Sequence, residues 1–138
     1  MKTKGLCTSR PSNCESRASD IVYVATLSTG IFKTTDGGVP WTAINNGVPV
    51  STGINPGPAV FVIRVDPVQP SALLAGAYPA LIRSSDGGAT WQTVNAPGAS
   101  GFAFDWGDIA FDPKMSGLVY VASYTNLLNS TDHGATWT

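Results

Sequence analysis

A chain of 138 residues, 43% apolar and only 12% charged, with a formal net charge of −1, is long enough for one domain and apolar enough for a core. An average soluble protein carries roughly 25% charged residues, and the 15 glycines and 10 prolines here argue against both a disordered chain and a helical bundle. Lysines and arginines are scattered, so nothing is set to neutralise nucleic-acid phosphates, and no apolar run nears the roughly 20 residues of a membrane-spanning helix.

The N-terminal segment, residues 1–18, reads as irregular. Lys2 and Lys4 could open an export signal, but the apolar stretch of about 7–15 residues that must follow is missing, so the chain as written carries no signal peptide. Cys7 and Cys14 are the only cysteines. They allow either a small disulfide loop or two free thiols, and with one distant histidine, His133, they do not make a zinc site.

A first structural unit runs over about 19–47. An apolar strand at 21–25 (Ile-Val-Tyr-Val-Ala) leads through a short loop at 27–30 to Thr34-Thr35-Asp36-Gly37-Gly38-Val39-Pro40-Trp41. Its innermost strand would fall within 5–15, where Arg10, Pro11, Asn13 and Glu15 read poorly as a buried strand. A Pro- and Gly-rich connection, 47–59, follows.

The second unit, about 60–95, is complete. An almost continuously apolar strand at 60–65 ends in Asp66-Pro67, and a second strand spans 72–76. A loop of Tyr78-Pro79-Ala80 then leads to Ser84-Ser85-Asp86-Gly87-Gly88-Ala89-Thr90-Trp91. The connection 96–107 holds Phe102, Phe104, Asp105 and Trp106. The third unit, about 108–138, repeats the plan: a strand ending in Asp112-Pro113, a strand at 118–122, a loop at 124–126, then Ser130-Thr131-Asp132-His133-Gly134-Ala135-Thr136-Trp137. Its outermost strand is missing.

The turn aspartates lie 50 and 46 residues apart, and Asp66–Asp86 and Asp112–Asp132 are each 20 apart. Internal repetition at this period indicates a repeat architecture. Each unit reads strand, Asp-Pro turn, strand, short loop, strand, aspartate turn, strand, which is a four-stranded antiparallel meander. The expected fold is therefore all-β: a partial β-propeller of about three blades, the first and last incomplete. Closed propellers have about four to eight. The chain is thus expected to be a fragment, with self-assembly into a ring as the alternative.

The pattern Ser/Thr-x-Asp-x-Gly-x-Thr-Trp resembles the Asp box, or BNR repeat, of sialidases, xyloglucan-type glycoside hydrolases, the sortilin ectodomain family and a photosystem II assembly factor family. The resemblance covers nearly everything beyond Asp20 and implies a structural role for the motif. Asp36, Asp86 and Asp132 are expected to hold turn amides, and Gly38, Gly88 and Gly134 to adopt positive φ. The hydroxyls of Thr34, Ser84 and Ser130 should bond back across the hairpin, and Trp41, Trp91 and Trp137 should pack between sheets. Two copies vary: Pro40 replaces a threonine, and His133 is expected to be an exposed turn residue. No metal, cofactor or catalytic role is expected of these positions.

A ligand, glycan or protein, is expected on the face opposite the aspartate turns. Trp106, Asp105 and Asp108, with Tyr78 and Tyr124 from equivalent loops, are the candidate binding residues, since an aromatic ring covers a sugar's apolar face while a carboxylate bonds its hydroxyls. The same aromatics could instead fill the gap between blades. A glycosidase needs paired carboxyl groups about 5–9.5 Å apart, and Asp105 and Asp108 come from one blade edge. The three-arginine cluster and tyrosine–glutamate pair of sialidases are not matched by Arg10, Arg17, Arg64 and Arg83, and the arginine-rich patch of the assembly factors has no counterpart. The resemblance implies an extracytoplasmic, non-catalytic scaffold or binding module. The alternative is a fragment of a secreted BNR-repeat glycoside hydrolase.

Overall fold

The computed structural model describes residues 14–16 in their backbone, together with 20–52, 56–97, 107–123 and 126–138. These form three antiparallel sheets and, among the described residues, no helix. The first sheet contains β1 (Cys14–Ser16), β2 (Val22–Thr26), β3 (Gly30–Thr34) and β4 (Thr42–Ala43), hydrogen-bonded in chain order. The second contains β5 (Val60–Val65), β6 (Leu73–Ala77), β7 (Leu81–Ser84) and β8 (Gln92–Thr93). The third contains β9 (Asp108–Phe111), β10 (Val119–Ala122) and β11 (Leu127–Ser130). The architecture is a partial β-propeller: consecutive meanders stacked face to face, the inner strand β5 lying beside β1 and β2 on one side and β9 on the other.

The stacking explains the apolar pattern. Successive side chains of a strand point to opposite faces. In the middle sheet both faces are covered, so its strands read as unbroken apolar runs rather than alternating ones. Val60, Ile63, Val65, Leu73, Ala75 and Ile82 enter one core with Tyr23, Ala25 and Ile31 of the first sheet. Val62, Leu74 and Leu81 enter the other, with Ile109, Val119, Val121 and Leu128 of the third.

Two details differ from the sequence reading. The first sheet does have an inner strand: β1 pairs antiparallel with β2 through Cys14–Val24, Glu15–Tyr23 and Ser16–Val22. Main-chain pairing at an edge requires no apolar run, so composition gave no sign of it. The third sheet lacks its fourth strand, yet Thr138 already exchanges two main-chain hydrogen bonds with Asn129 at 2.9 and 3.0 Å. It occupies the register that Thr42 and Gln92 hold opposite Lys33 and Arg83.

Candidate functional site

The aspartate turns are built from their own side chains. In the second copy, the Ser84 hydroxyl donates to Asp86 Oδ1 at 2.8 Å and accepts from the Gly88 amide at 2.9 Å. Asp86 Oδ1 also accepts the Thr90 amide at 2.9 Å, and Thr90 Oγ1 donates to Oδ2 at 2.5 Å. The third copy repeats this through Ser130, Asp132, Gly134 and Thr136. The serine hydroxyls therefore act within the turn, not across the hairpin as expected. They are buried and fully engaged, as buried polar groups must be.

These bonds go to the ionised carboxylate and favour it. The Thr90 hydroxyl and amide, then Ser84, bring Asp86 from its ordinary 3.8 down to about 2. Thr136 is the main cause of a still lower value at Asp132. In the first copy Pro40 has neither hydroxyl nor N–H, so Asp36 relies on the Thr34 hydroxyl at 2.7 Å and the Val39 amide at 3.0 Å. Its pKa is also lowered, chiefly by Thr34.

The turns also join the sheets. The carbonyl of Gly87, one residue after Asp86, accepts from Tyr23 Oη at 3.1 Å and Lys33 Nζ at 2.9 Å, both on the preceding sheet. The equivalent carbonyl of His133 accepts from Arg83 Nε at 2.9 Å. Trp91 is buried against the first sheet and donates Nε1–H to the Ile44 carbonyl at 2.9 Å. Gly88 has φ +89°, and a Cβ there would sit 2.5 Å from Ile44 Cδ1, so this glycine serves the approach of the neighbouring sheet as well as the turn.

His133 corrects an expectation. Its ring is not a free surface group: Nδ1 lies 2.6 Å from Asp66 Oδ2, with side-chain exposures of 22% and 1%. Asp66 Oδ1 meanwhile accepts the Val68 and Gln69 amides at 2.7 and 3.1 Å. Asp112 holds the Lys114 and Met115 amides in the same way, and these amides lower its pKa. The sequence did carry a signal for the inter-sheet contacts. Lys33 and Arg83 each stand immediately before a turn hydroxyl residue, a recurrence that spacing alone passes over.

Of the binding candidates, Tyr78 and Asp108 are described, while Trp106, Asp105 and Tyr124 lie outside the described residues. Tyr78 is half-buried and donates its amide to the Ala59 carbonyl at 2.9 Å, beside the start of β5. Asp108 opens β9 opposite Ala122. Register therefore puts both at the same end of neighbouring sheets, opposite the aspartate turns. Asp108 already has a partner: its Oδ1 accepts from Arg64 at 2.8 Å and from the Ile109 amide at 2.8 Å. It remains exposed and polar, and it ties β5 to β9. A recess of about 260 Å³ lined by Lys33, Thr34, Thr35, Pro40, Thr42 and Ile44 lies at the other end, beside the first turn. Among the described residues no cluster of histidine, cysteine and acidic side chains is suited to a metal ion, and no helix is long and apolar enough to cross a membrane.

No protein-family model and no curated protein matches the chain. Solved structures do. An ancestral GH74 enzyme matches with a TM-score of 0.71 at 19% identity, covering 92% of this chain and 17% of that one. The GH74 xyloglucanase from Xanthomonas campestris matches at 0.64 and 19%, covering 93% and 22%. YCF48 bound to D1 peptide matches at 0.59 and 13%, covering 99% and 46%. At these identities the likeness establishes the fold class, a β-propeller. The chain spans less than half the length of each of these proteins.

Proposed function

We propose that this chain is a non-catalytic segment of an Asp-box propeller that acts as a scaffold and offers one loop face to a glycan or protein ligand. The observation that carries this reading is how its acids are used. Asp36, Asp66, Asp86, Asp112 and Asp132 each hold main-chain amides of their own turns, and Asp108 is paired with Arg64. Glycoside hydrolysis asks for two carboxyl groups about 5–9.5 Å apart across a cleft, one of them protonated to serve as the acid. The turn donors of Asp36, Asp86, Asp112 and Asp132 depress their pKa, which makes these four poor proton donors near neutral pH.

On this reading Tyr78 and Asp108 form part of the binding face, completed by Trp106, Asp105 and Tyr124 from the same set of loops. The family resemblance favours an extracytoplasmic setting. The test is titration of the isotopically labelled 138-residue chain with xyloglucan oligosaccharides, followed by NMR, alongside an assay for released reducing ends. Expected are shifts confined to the 78–80, 98–108 and 124–126 loops, weakened about tenfold or more by Trp106→Ala or Tyr78→Ala, and no release of reducing ends. Reducing ends that disappear in Asp105→Asn or Asp108→Asn would instead support the runner-up reading, a segment of a BNR-repeat glycoside hydrolase. Shifts confined to the aspartate-turn end would overturn the assignment of the face.

A further inference from the structure

The inner strand of the second sheet carries one residue more than its partner. Val60 stands opposite Ala77 and Val62 opposite Gly76, which leaves Phe61 as a β-bulge. Val60 and Val62 would share one face of a regular strand. The bulge instead lets Val60 enter the core shared with the first sheet and Val62 the core shared with the third. A bulge also re-aims its extra side chain. Phe61 is half-buried and, among the described residues, belongs to neither core. Register places it at the end opposite the aspartate turns. Val62 holds the position in the second sheet that Asp108 holds in the third, opposite Gly76 and Ala122 respectively, and Ala59, which takes the Tyr78 amide, lies two residues before Phe61.

The polar group beside it is held in place. Asp108 Oδ1 accepts from Arg64 Nη2 and from the Ile109 amide, each at 2.8 Å, and Arg64 Nη1 donates to the Ile63 carbonyl at 2.9 Å. Both donors to Asp108 use one oxygen. Its Oδ2 meets no partner among the described residues, and the side chain is 61% exposed. A carboxylate can only accept, so Oδ2 is a fixed acceptor that calls for a donor on a ligand.

We propose that Phe61, Tyr78 and Asp108 make a sugar subsite, in which the Phe61 ring lies against the C–H face of a pyranose, Asp108 Oδ2 accepts from its hydroxyls, and Arg64 is a positioning residue. This rests on the loop face read above as the ligand face, and it narrows the ligand to a glycan. Small-ligand sites combine apolar surface with a few fixed polar groups, and a pyranose matches that pairing with an apolar face and hydroxyls around its rim.

Titration of the 138-residue chain, with its phenylalanine side chains selectively labelled, against xyloglucan oligosaccharides tests this by NMR. In wild type the shifts are expected to extend from the loops to Phe61, with Overhauser contacts between its ring protons and sugar ring C–H protons. Phe61→Leu keeps an apolar side chain but removes the flat ring. It is expected to abolish those contacts and weaken binding about tenfold or more, whereas Phe61→Tyr keeps both. Arg64→Met is expected to weaken binding several-fold and Arg64→Lys to recover part of the loss. Cooperative urea unfolding certifies that each variant is folded, and the ring contacts are read in wild type whatever the variants do. Binding at this face that lacks contacts from the Phe61 ring, or that Phe61→Leu leaves at full strength, overturns the proposal while the face stands. Binding unchanged in Arg64→Met overturns the role of Arg64. A wild type that gives no shift with the oligosaccharides overturns the sugar subsite and leaves the face to a protein ligand. Shifts confined to the aspartate-turn end overturn the face itself, and the subsite with it.

Discussion

A carboxylate at the tip of a β-hairpin ordinarily faces water and titrates near 4. Asp86 is at such a tip, yet donors converge on both its oxygens, with the Thr90 hydroxyl contributing most, and its pKa falls to about 2. Because the folded value is the depressed one, the stability linked to ionisation is fully present above the unfolded value and is lost as pH falls through the folded value. Asp86→Asn is therefore expected to be less stable than wild type at neutral pH. The gap should narrow as pH drops from about 4 to 2, measured by urea unfolding at a series of pH values. Thr90→Val should move the Asp86 titration back toward the ordinary carboxylate range while leaving Asp132 unchanged, read from side-chain carboxyl carbon shifts in NMR. If the Asp86 titration stays put, the threonine hydroxyl is not the main cause of its acidity. The first copy supplies a natural comparison, since Pro40 stands where Thr90 and Thr136 do.

At the scale of one sheet, the repeat tryptophans separate intrinsic turn chemistry from packing. Trp91 and Trp41 end equivalent turns, but only Trp91 has a preceding sheet to bury it and an Ile44 carbonyl to take its indole N–H. Trp91→Ala is accordingly expected to cost about 3–5 kcal/mol, and Trp41→Ala in the monomer only about 1 kcal/mol or less, compared by urea denaturation. Equal losses would mean that the tryptophan acts on its own hairpin rather than through the neighbouring sheet. Gly88→Ala should be worse than Gly38→Ala for a related reason. Both have positive φ, but a Cβ at Gly88 would meet Ile44 while one at Gly38 would meet nothing within 4 Å. The strand order and the turns were legible from sequence because a turn demands particular residue types at fixed offsets, and the middle strands declare themselves by continuous apolar runs. The inner strand β1 was not legible, because its pairing with β2 is between main chains. The binding candidates were legible only as residue types, for an exposed carboxylate gives no sign that Arg64 on another sheet will reach it.

At the scale of the whole stack, the sheets are held by apolar cores, by polar contacts from the second and third aspartate turns back to the sheet before each, and by the Arg64–Asp108 pair. The third turn is the more elaborate, because His133 contributes twice: its carbonyl takes Arg83, and its ring meets Asp66. A carboxylate can only accept, so Nδ1 carries the hydrogen of that bond. The histidine also holds φ at 59°, where the first two copies have Gly37 and Gly87 at 83° and 70°. A non-glycine residue in this region carries some strain, so His133→Gly has two opposed effects: relief of backbone strain and loss of the ring contact. A single substitution cannot separate them, but a cycle with Asp66→Asn can. Strain relief is the same whichever residue occupies position 66 and cancels from the cycle. The Arg83 contact is to a main-chain carbonyl and survives in every member. What remains is the ring–carboxylate coupling across the sheet boundary, expected at about 1 kcal/mol in favour of the native pair and measured by urea unfolding. A coupling indistinguishable from zero would mean that the apolar core, the Arg83 contact and the Arg64–Asp108 pair hold the second and third sheets together without it, and that His133 is tolerated at the turn rather than used there.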